Sequence, residues 1–265
     1  MSKLLGKWRP YRLLDRETPV EVSERDGVRS LHLGSSTVQS SMRLADPVEL
    51  VLSYTRAMMG FLLFAPDPRH VVMIGLGGGS IAKFIYHRLP ATRLIAIEAD
   101  PRVISTARAH FHVPEDDGRF RVEFGKGEQW VARRPTACDV LLVDGYDGSS
   151  QAEELSTEDF YSAARLALEP EGVLVVNLWS SDRRFDAYLQ RIERSFAACV
   201  CLPAERHGNV AVFAFCRRPR DVPWSELAAR ARQLQAGVGL EFPRMVEALK
   251  TMNPHSDMVL SFDPR

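Results

Sequence analysis

From residue 70 onward, short apolar runs alternate with stretches whose apolar residues recur at helical spacing. The order is VVMIG, then 80 to 89; RLIAIEA, then 101 to 111; FRVEF, then 127 to 134; DVLLVDG, then 157 to 168; VLVVNLW, then 183 to 197. Runs this short and this continuously apolar are strands buried on both faces, and their alternation with helices predicts a parallel sheet with right-handed crossovers. The last two runs, CVCLP and NVAVFAFC, flank His207-Gly208-Asn209 with too few residues for a crossover helix. They predict an antiparallel hairpin at one sheet edge. The expected core is therefore a doubly wound, seven-stranded α/β sheet with one antiparallel edge strand.

Ahead of that core, residues 20 to 43 alternate apolar and polar side chains around Asp26-Gly27 and a second turn at Gly34-Ser35-Ser36, which predicts a hairpin or three-stranded meander. After Asp46-Pro47, the stretch VELVLSYTRAMMGFLLF has helical spacing, with Pro47 in the first turn and Pro66 and Pro68 closing it off. Its length predicts a helix of about four turns. Residues 219 to 265 read as a tail of two helices, WSELAARARQLQ and PRMVEALKTM, packed on the main domain. The expected organisation is a β segment with its linking helix over 1–64, the sheet domain over 65–218 and a helical tail over 219–265.

Charge narrows the partners. Lys plus Arg and Asp plus Glu balance at 34 each, so no global field draws the chain to nucleic acid or to an anionic membrane, and neither is expected as a partner. No window approaches eighteen apolar residues, and the N-terminal stretch has positive charge but no apolar core of an export signal. The four cysteines lack CxxC spacing, and three sit in or beside apolar runs, as reduced buried thiols do. A cytoplasmic location is expected. His110 and His112 lack a third ligand nearby and are expected in a surface loop, so no metal is expected.

Chemistry enters at HVVMIGLGGGSIAKF, residues 70 to 84, where a buried strand breaks into Gly75, Gly77, Gly78 and Gly79 and resumes as a helix. Such a turn lets a ligand approach the backbone without meeting a Cβ. Glu98 ends the next strand about twenty residues on, where an acid accepts hydrogen bonds from ribose hydroxyls. Together they point to an adenosine-type ligand. Glycines that only allow close helix packing, with Glu98 as a solvated strand end, are the plainer alternative. A dehydrogenase lacks a convincing catalytic His or Lys here. A methyltransferase usually carries an acid two residues before the first glycine, where this chain has Met73.

DVLLVDGYDG places Asp144 at the carboxyl end of the fourth strand and Asp147 in the loop above it, facing the same crevice as the glycine turn. With VQSS, IGLGGGS, IEADP, FGKGEQW and STEDFYSAARLALEPEGVLVVNLW in this order, the chain resembles the spermidine synthases, the polyamine aminopropyltransferases, from about residue 20 to 217. Their bacterial spermidine synthase-like members are the closer match. The resemblance implies a Rossmann-like, methyltransferase-type sheet. It also implies a decarboxylated S-adenosylmethionine donor, an amine acceptor such as putrescine, and a homodimer. By the same likeness Asp144 is the catalytic aspartate and Asp147 its neighbour, while Gln39, Gly127 and Glu98 lie along the nucleoside. Tyr146 and Tyr54 fall at the amine end.

The chain departs from the family pattern at three points. The usual GGGDG turn has Gly78 at its aspartate position, removing one anion. Lys126 stands where the family has an aspartate that accepts from the adenine amino group, and an ammonium donates only, so Glu128 becomes the candidate acceptor. Leu50 and Val51 replace a Tyr-Gln pair, with Tyr54 and Arg56 on the same helix as substitutes. Three hypotheses stay open: an aminopropyltransferase, a methyltransferase using S-adenosylmethionine, and a nucleoside-binding member without turnover.

Overall fold

The computed structural model describes residues 19–34, 37–146, 152–205 and 208–262. Three antiparallel strands come first, β1 (Val20–Arg25), β2 (Val28–Leu33) and β3 (Val38–Arg43), in the order β1-β2-β3. Asp26 and Gly27 both take positive φ, 51° and 74°, which matches the twist of a two-residue hairpin turn. This is the three-stranded alternative of the two the alternation allowed.

The expected four-turn helix is not formed. The α-helix α1 spans only Ser53–Met58 and tightens into a 3-10 turn over Met59–Leu63. Local polar side chains capture the preceding backbone instead. Asp46 Oδ1 accepts from the Val48 N–H at 3.1 Å, Arg56 Nη1 donates to the carbonyls of Leu50 and Val51, and Glu49 pairs with Arg43. Such bonds compete directly with the helical ladder. Arg56 is thereby spent on the backbone and on Glu205, 3.8 Å away.

Next come β4 (His70–Ile74), α2 (Ser80–Arg88), β5 (Arg93–Glu98), α3 (Pro101–Phe111), β6 (Phe120–Phe124), α4 (Gly127–Ala132) and β7 (Cys138–Val143). They are followed by α5 (Glu158–Ala167), β8 (Leu168–Trp179), α6 (Phe185–Ser195), β9 (Ala198–Pro203) and β10 (Asn209–Phe215). His110 and His112 close α3 rather than lying in a loop, with His112 as its left-handed cap at φ 56°. The seven-stranded sheet has the order β6-β5-β4-β7-β8-β10-β9. The hairpin β9–β10 sits at one edge as expected, and the reversed strand is β10, one place in, antiparallel to β8 and β9. Val71 and Met73 of β4 join the core on one face, while Val72 and Ile74 join the core on the other. Burial on both faces is why these strands read as unbroken apolar runs.

The tail forms a two-residue strand β11 (Val222–Pro223), helices α7 (Trp224–Val238) and α8 (Phe242–Leu249), and β12 (Val259–Leu260), which pairs with β11. Leu227, Ala231, Phe242 and Leu249 belong to the same core cluster as β4 and α2. Arg230 donates to the Leu63 carbonyl and ties α7 to the 3-10 turn. A third cluster of Leu31, Met42, Val103 and Phe111 joins the N-terminal sheet to α3.

One charge lies deep in this packing. Lys83 is 1% exposed, and its ammonium donates to the carbonyl of Phe111, the last residue of α3, at 2.7 Å. A helix C-terminus is a favourable place for a cation. Burial still lowers the Lys83 pKa to about 8.

Candidate active site

A cavity of about 1280 Å³ opens where the parallel strands end. Its floor is the glycine turn between β4 and α2. Gly75 takes φ 92°, and a Cβ there would stand 2.2 Å from the carbonyl oxygen of Asp144. Only glycine permits this approach, which brings the turn and the end of β7 to one point. The Asp144 N–H donates to the Ile74 carbonyl at 2.9 Å and completes the junction.

Glu98 ends β5 on the other side of the turn. Its Oε2 accepts from the Leu76 N–H at 2.9 Å and its Oε1 from the Asp100 N–H at 3.0 Å. Burial raises its carboxyl above the ordinary range, against backbone donors led by Leu76 that pull it down. Glu98 thus holds the turn itself, bonded to the backbone N–H groups of Leu76 and Asp100 and also to those of Gly77 and Ala99. Asp100 caps α3 by accepting from the Arg102 N–H, and its carboxylate also pairs with the Arg102 guanidinium at 2.6 Å.

The fourth strand supplies the second carboxylate. Asp144 accepts from Asn177 Nδ2 at 2.9 Å and from the Tyr54 hydroxyl. Burial raises its pKa, and those two bonds oppose the rise. The single Tyr54 O–H proton is shared between the Asp144 carboxylate and the Gln39 carbonyl, 3.3 Å away. Burial, then the neighbouring Asp144 charge, holds the Tyr54 hydroxyl well above its usual range, so it stays a neutral donor. Tyr146 donates to the Asn177 carbonyl at 2.9 Å and stacks on Trp179 with centroids 5.0 Å apart. Such a stack contributes on the order of 1 kcal/mol beyond burial.

Of the expected site residues, Gln39, Tyr54, Gly75, Gly77, Glu98, Gly127, Glu128, Asp144 and Tyr146 line this one cavity. Gly78 and Gly79 do not line it. A Cβ on Gly78 would lie 2.8 Å from Ser40 Oγ and 3.0 Å from Phe111, and one on Gly79 would lie 2.3 Å from Val113. These two glycines admit neighbouring side chains. The place of the family's turn aspartate is closed by β3 and the end of α3, where Ser40 Oγ meets Ser80 Oγ at 3.1 Å. Asp147 lies outside the described residues. Lys126 immediately precedes α4, without a side-chain capping bond, and lines the cavity with Glu128, in the first turn of that helix.

Sequence reasoning missed Asn177, Asn209, Trp179 and Phe124, all on the cavity wall. Asn177 had a readable signal, since it is a lone amide inside the apolar run VLVVNLW. Phe124 is 68% exposed at the end of β6, as an apolar side chain at a ligand cavity's mouth is. Among the described residues, no three His, Cys, Asp or Glu side chains gather as a metal ion requires, and no helix is long and apolar enough to cross a membrane.

The fold and the cavity's place define a doubly wound α/β protein with its cavity outside the carboxyl ends of its parallel strands, where ligands of such folds bind. A family model described as the spermine/spermidine synthase domain matches residues 51–204. A polyamine aminopropyltransferase of Chromobacterium violaceum is 47% identical over 235 residues, 88% of this chain and 90% of that protein. The chain belongs to the spermine/spermidine synthase family. In fold it is similar to a probable spermidine synthase from Corynebacterium glutamicum, with a TM-score of 0.72 at 17% identity over 94% of this chain and 97% of that one. Human methyltransferase-like protein 13, solved in complex with SAH, has a TM-score of 0.64 at 22% identity over 78% of this chain and 96% of that one.

Proposed function

We propose that this protein is an aminopropyltransferase, moving the aminopropyl group of decarboxylated S-adenosylmethionine to a small amine such as putrescine. The observation that carries it is that the glycine turn, Glu98 and Asp144 line one cavity at the strand ends of a chain from this family. In this reading the Glu98 carboxylate, aimed by its bonds to the turn, accepts from the ribose hydroxyls, and Gly75, Gly77 and Gly127 let the nucleoside approach the backbone. Glu128, near the mouth of α4, accepts from the adenine edge in place of the family's aspartate. The cavity exceeds what a nucleoside alone needs and leaves room for the acceptor.

The reaction asks little covalent work of the protein. The sulfonium makes its adjacent carbon electrophilic. The acceptor arrives as an ammonium, gives one proton to the Asp144 carboxylate, and its freed lone pair attacks that carbon. The new N–C bond forms as the C–S bond breaks, with the pair going to sulfur, so methylthioadenosine leaves as a neutral thioether. The product keeps a secondary ammonium, and Asp144 returns its proton to water. Alignment and proton removal are the contributions available to such a site. Tyr54 and Tyr146 flank Asp144 at the acceptor end.

The test is a product assay by mass spectrometry with decarboxylated S-adenosylmethionine or S-adenosylmethionine as donor, and putrescine and longer polyamines as acceptors. The expected result is methylthioadenosine and an aminopropylated amine from the first donor only. A methylated product from S-adenosylmethionine, or tight binding of methylthioadenosine with no transfer to any amine, overturns the proposal.

A further inference from the structure

Asp144 does not stand alone at the end of β7. Asn209 Nδ2 donates to Asn177 Oδ1 at 2.9 Å, and Asn177 Nδ2 donates to Asp144 Oδ1 at 2.9 Å. Both asparagines are buried, 3% exposed at Asn177 and 6% at Asn209. The chain has one possible direction. An ionised carboxylate only accepts, so Asn177 turns its amide N–H toward Asp144; its oxygen then faces Asn209, which must donate. Neither amide can flip without setting two acceptors or two donors face to face in a desolvated place, where an unmet polar group is costly.

The reversed strand explains how Asn209 arrives there. The parallel strands end at the cavity, whereas β10 runs the other way and begins there with Asn209. Ala211 is the residue paired with Asn177 across the ladder, so Asn209 is its diagonal neighbour on the same face of the sheet. The Asn177 carbonyl receives the Tyr146 hydroxyl, so the same residue also braces the loop that follows Asp144.

We infer that Asn177 and Asn209 are positioning residues for transfer, a one-way amide chain that fixes the Asp144 carboxylate as a proton acceptor facing the acceptor amine. The inference rests on the aminopropyl-transfer reading above. With Asn177 on one oxygen and Tyr54 also bonded to the carboxylate, the remaining lone pairs are the ones open to the cavity. Among the described residues, the titratable groups that face Asp144 are Tyr54 from α1 and Tyr146 from its own loop, both kept neutral by burial. Strands β8 and β10 present neutral amides to it through Asn177 and Asn209.

Asn209→Asp tests this with almost no change in volume. An aspartate there accepts, so Asn177 turns its N–H groups toward it and its oxygen toward Asp144. The like-charged neighbour and the lost donor both favour the protonated form of Asp144, moving the acid limb of the kcat profile upward by about one pH unit or more. On the acid side of the limb kcat falls roughly tenfold relative to wild type at the same pH, while methylthioadenosine affinity stays within about twofold, because in this reading the nucleoside rests on Glu98 and the glycine turn. Asn209→Leu removes the donor without adding charge and shifts the limb in the same direction by a smaller amount; it carries the test if the aspartate variant does not fold. An acid limb unmoved in a folded, nucleoside-binding variant overturns the positioning role. Wild-type protein with no transfer overturns the functional reading instead, so the two failures are told apart.

Discussion

Replacing Asp144 by Asn lowers turnover by a factor on the order of a hundred or more, the loss that follows removal of a general base, while the affinity for methylthioadenosine is unchanged. The side chain keeps its shape, so Asn177 still donates to its oxygen and Tyr54 can accept from its new N–H. What is lost is the ability to take a proton. The wild-type pH profile follows from the same carboxyl. Burial raises its pKa above the ordinary carboxylate range, so activity falls as pH drops through that raised value and is retained above it. Single-turnover kinetics with methylthioadenosine titrations separate the two effects. Turnover within a few-fold of wild type removes Asp144 from its role.

Stability changes by a comparable amount through a residue far from the chemistry. The Lys83 pKa is about 8 in the folded protein against 10.5 for an ordinary lysine. Below pH 8 both states carry the proton, and the folded state bears the full cost of a buried ammonium. Between the two pKa values the unfolded chain binds more protons, so stability rises with pH in that window and levels off above it. From pH 7.5 to 9.5 the Lys83 contribution grows by about 2 kcal/mol, out of a total near 3 kcal/mol. Urea unfolding of wild type and Lys83→Met at both pH values isolates it, because other groups cancel in the difference. The gap between the two proteins moves by about 2 kcal/mol in favour of wild type at the higher pH. A gap that does not move means that the ammonium is not held where burial disfavours it.

The sheet was legible because burial on both faces writes itself as apolar runs, and the crossover helices because their spacing alternates with those runs. The hairpin of β9 and β10 was legible from the short connection at His207-Gly208-Asn209. The segment before α1 was not, since its spacing is helical while Asp46, Glu49 and Arg56 hold the backbone in turns through bonds that no periodicity records. Lys83 sits where a lysine is normally solvated, and only the end of α3 explains its burial. At the site, Glu98 and Asp144 were legible from their places at strand ends. Gly78 and Gly79 drew attention as ligand contacts, although their missing side chains make room for Ser40, Phe111 and Val113. The amide chain to Asp144 was hidden because it joins residues 32 apart through the reversed strand, and a single asparagine at a strand start carries no pattern.

The most direct measurement is a crystal structure of the protein with methylthioadenosine and putrescine bound together. The expected complex has the ribose hydroxyls on Glu98, and the thioether sulfur pointing to the end of β7. The amine nitrogen lies within about 3.5 Å of the Asp144 carboxylate. A nucleoside lodged away from Glu98, or a sulfur directed away from Asp144 with the amine elsewhere, contradicts the account.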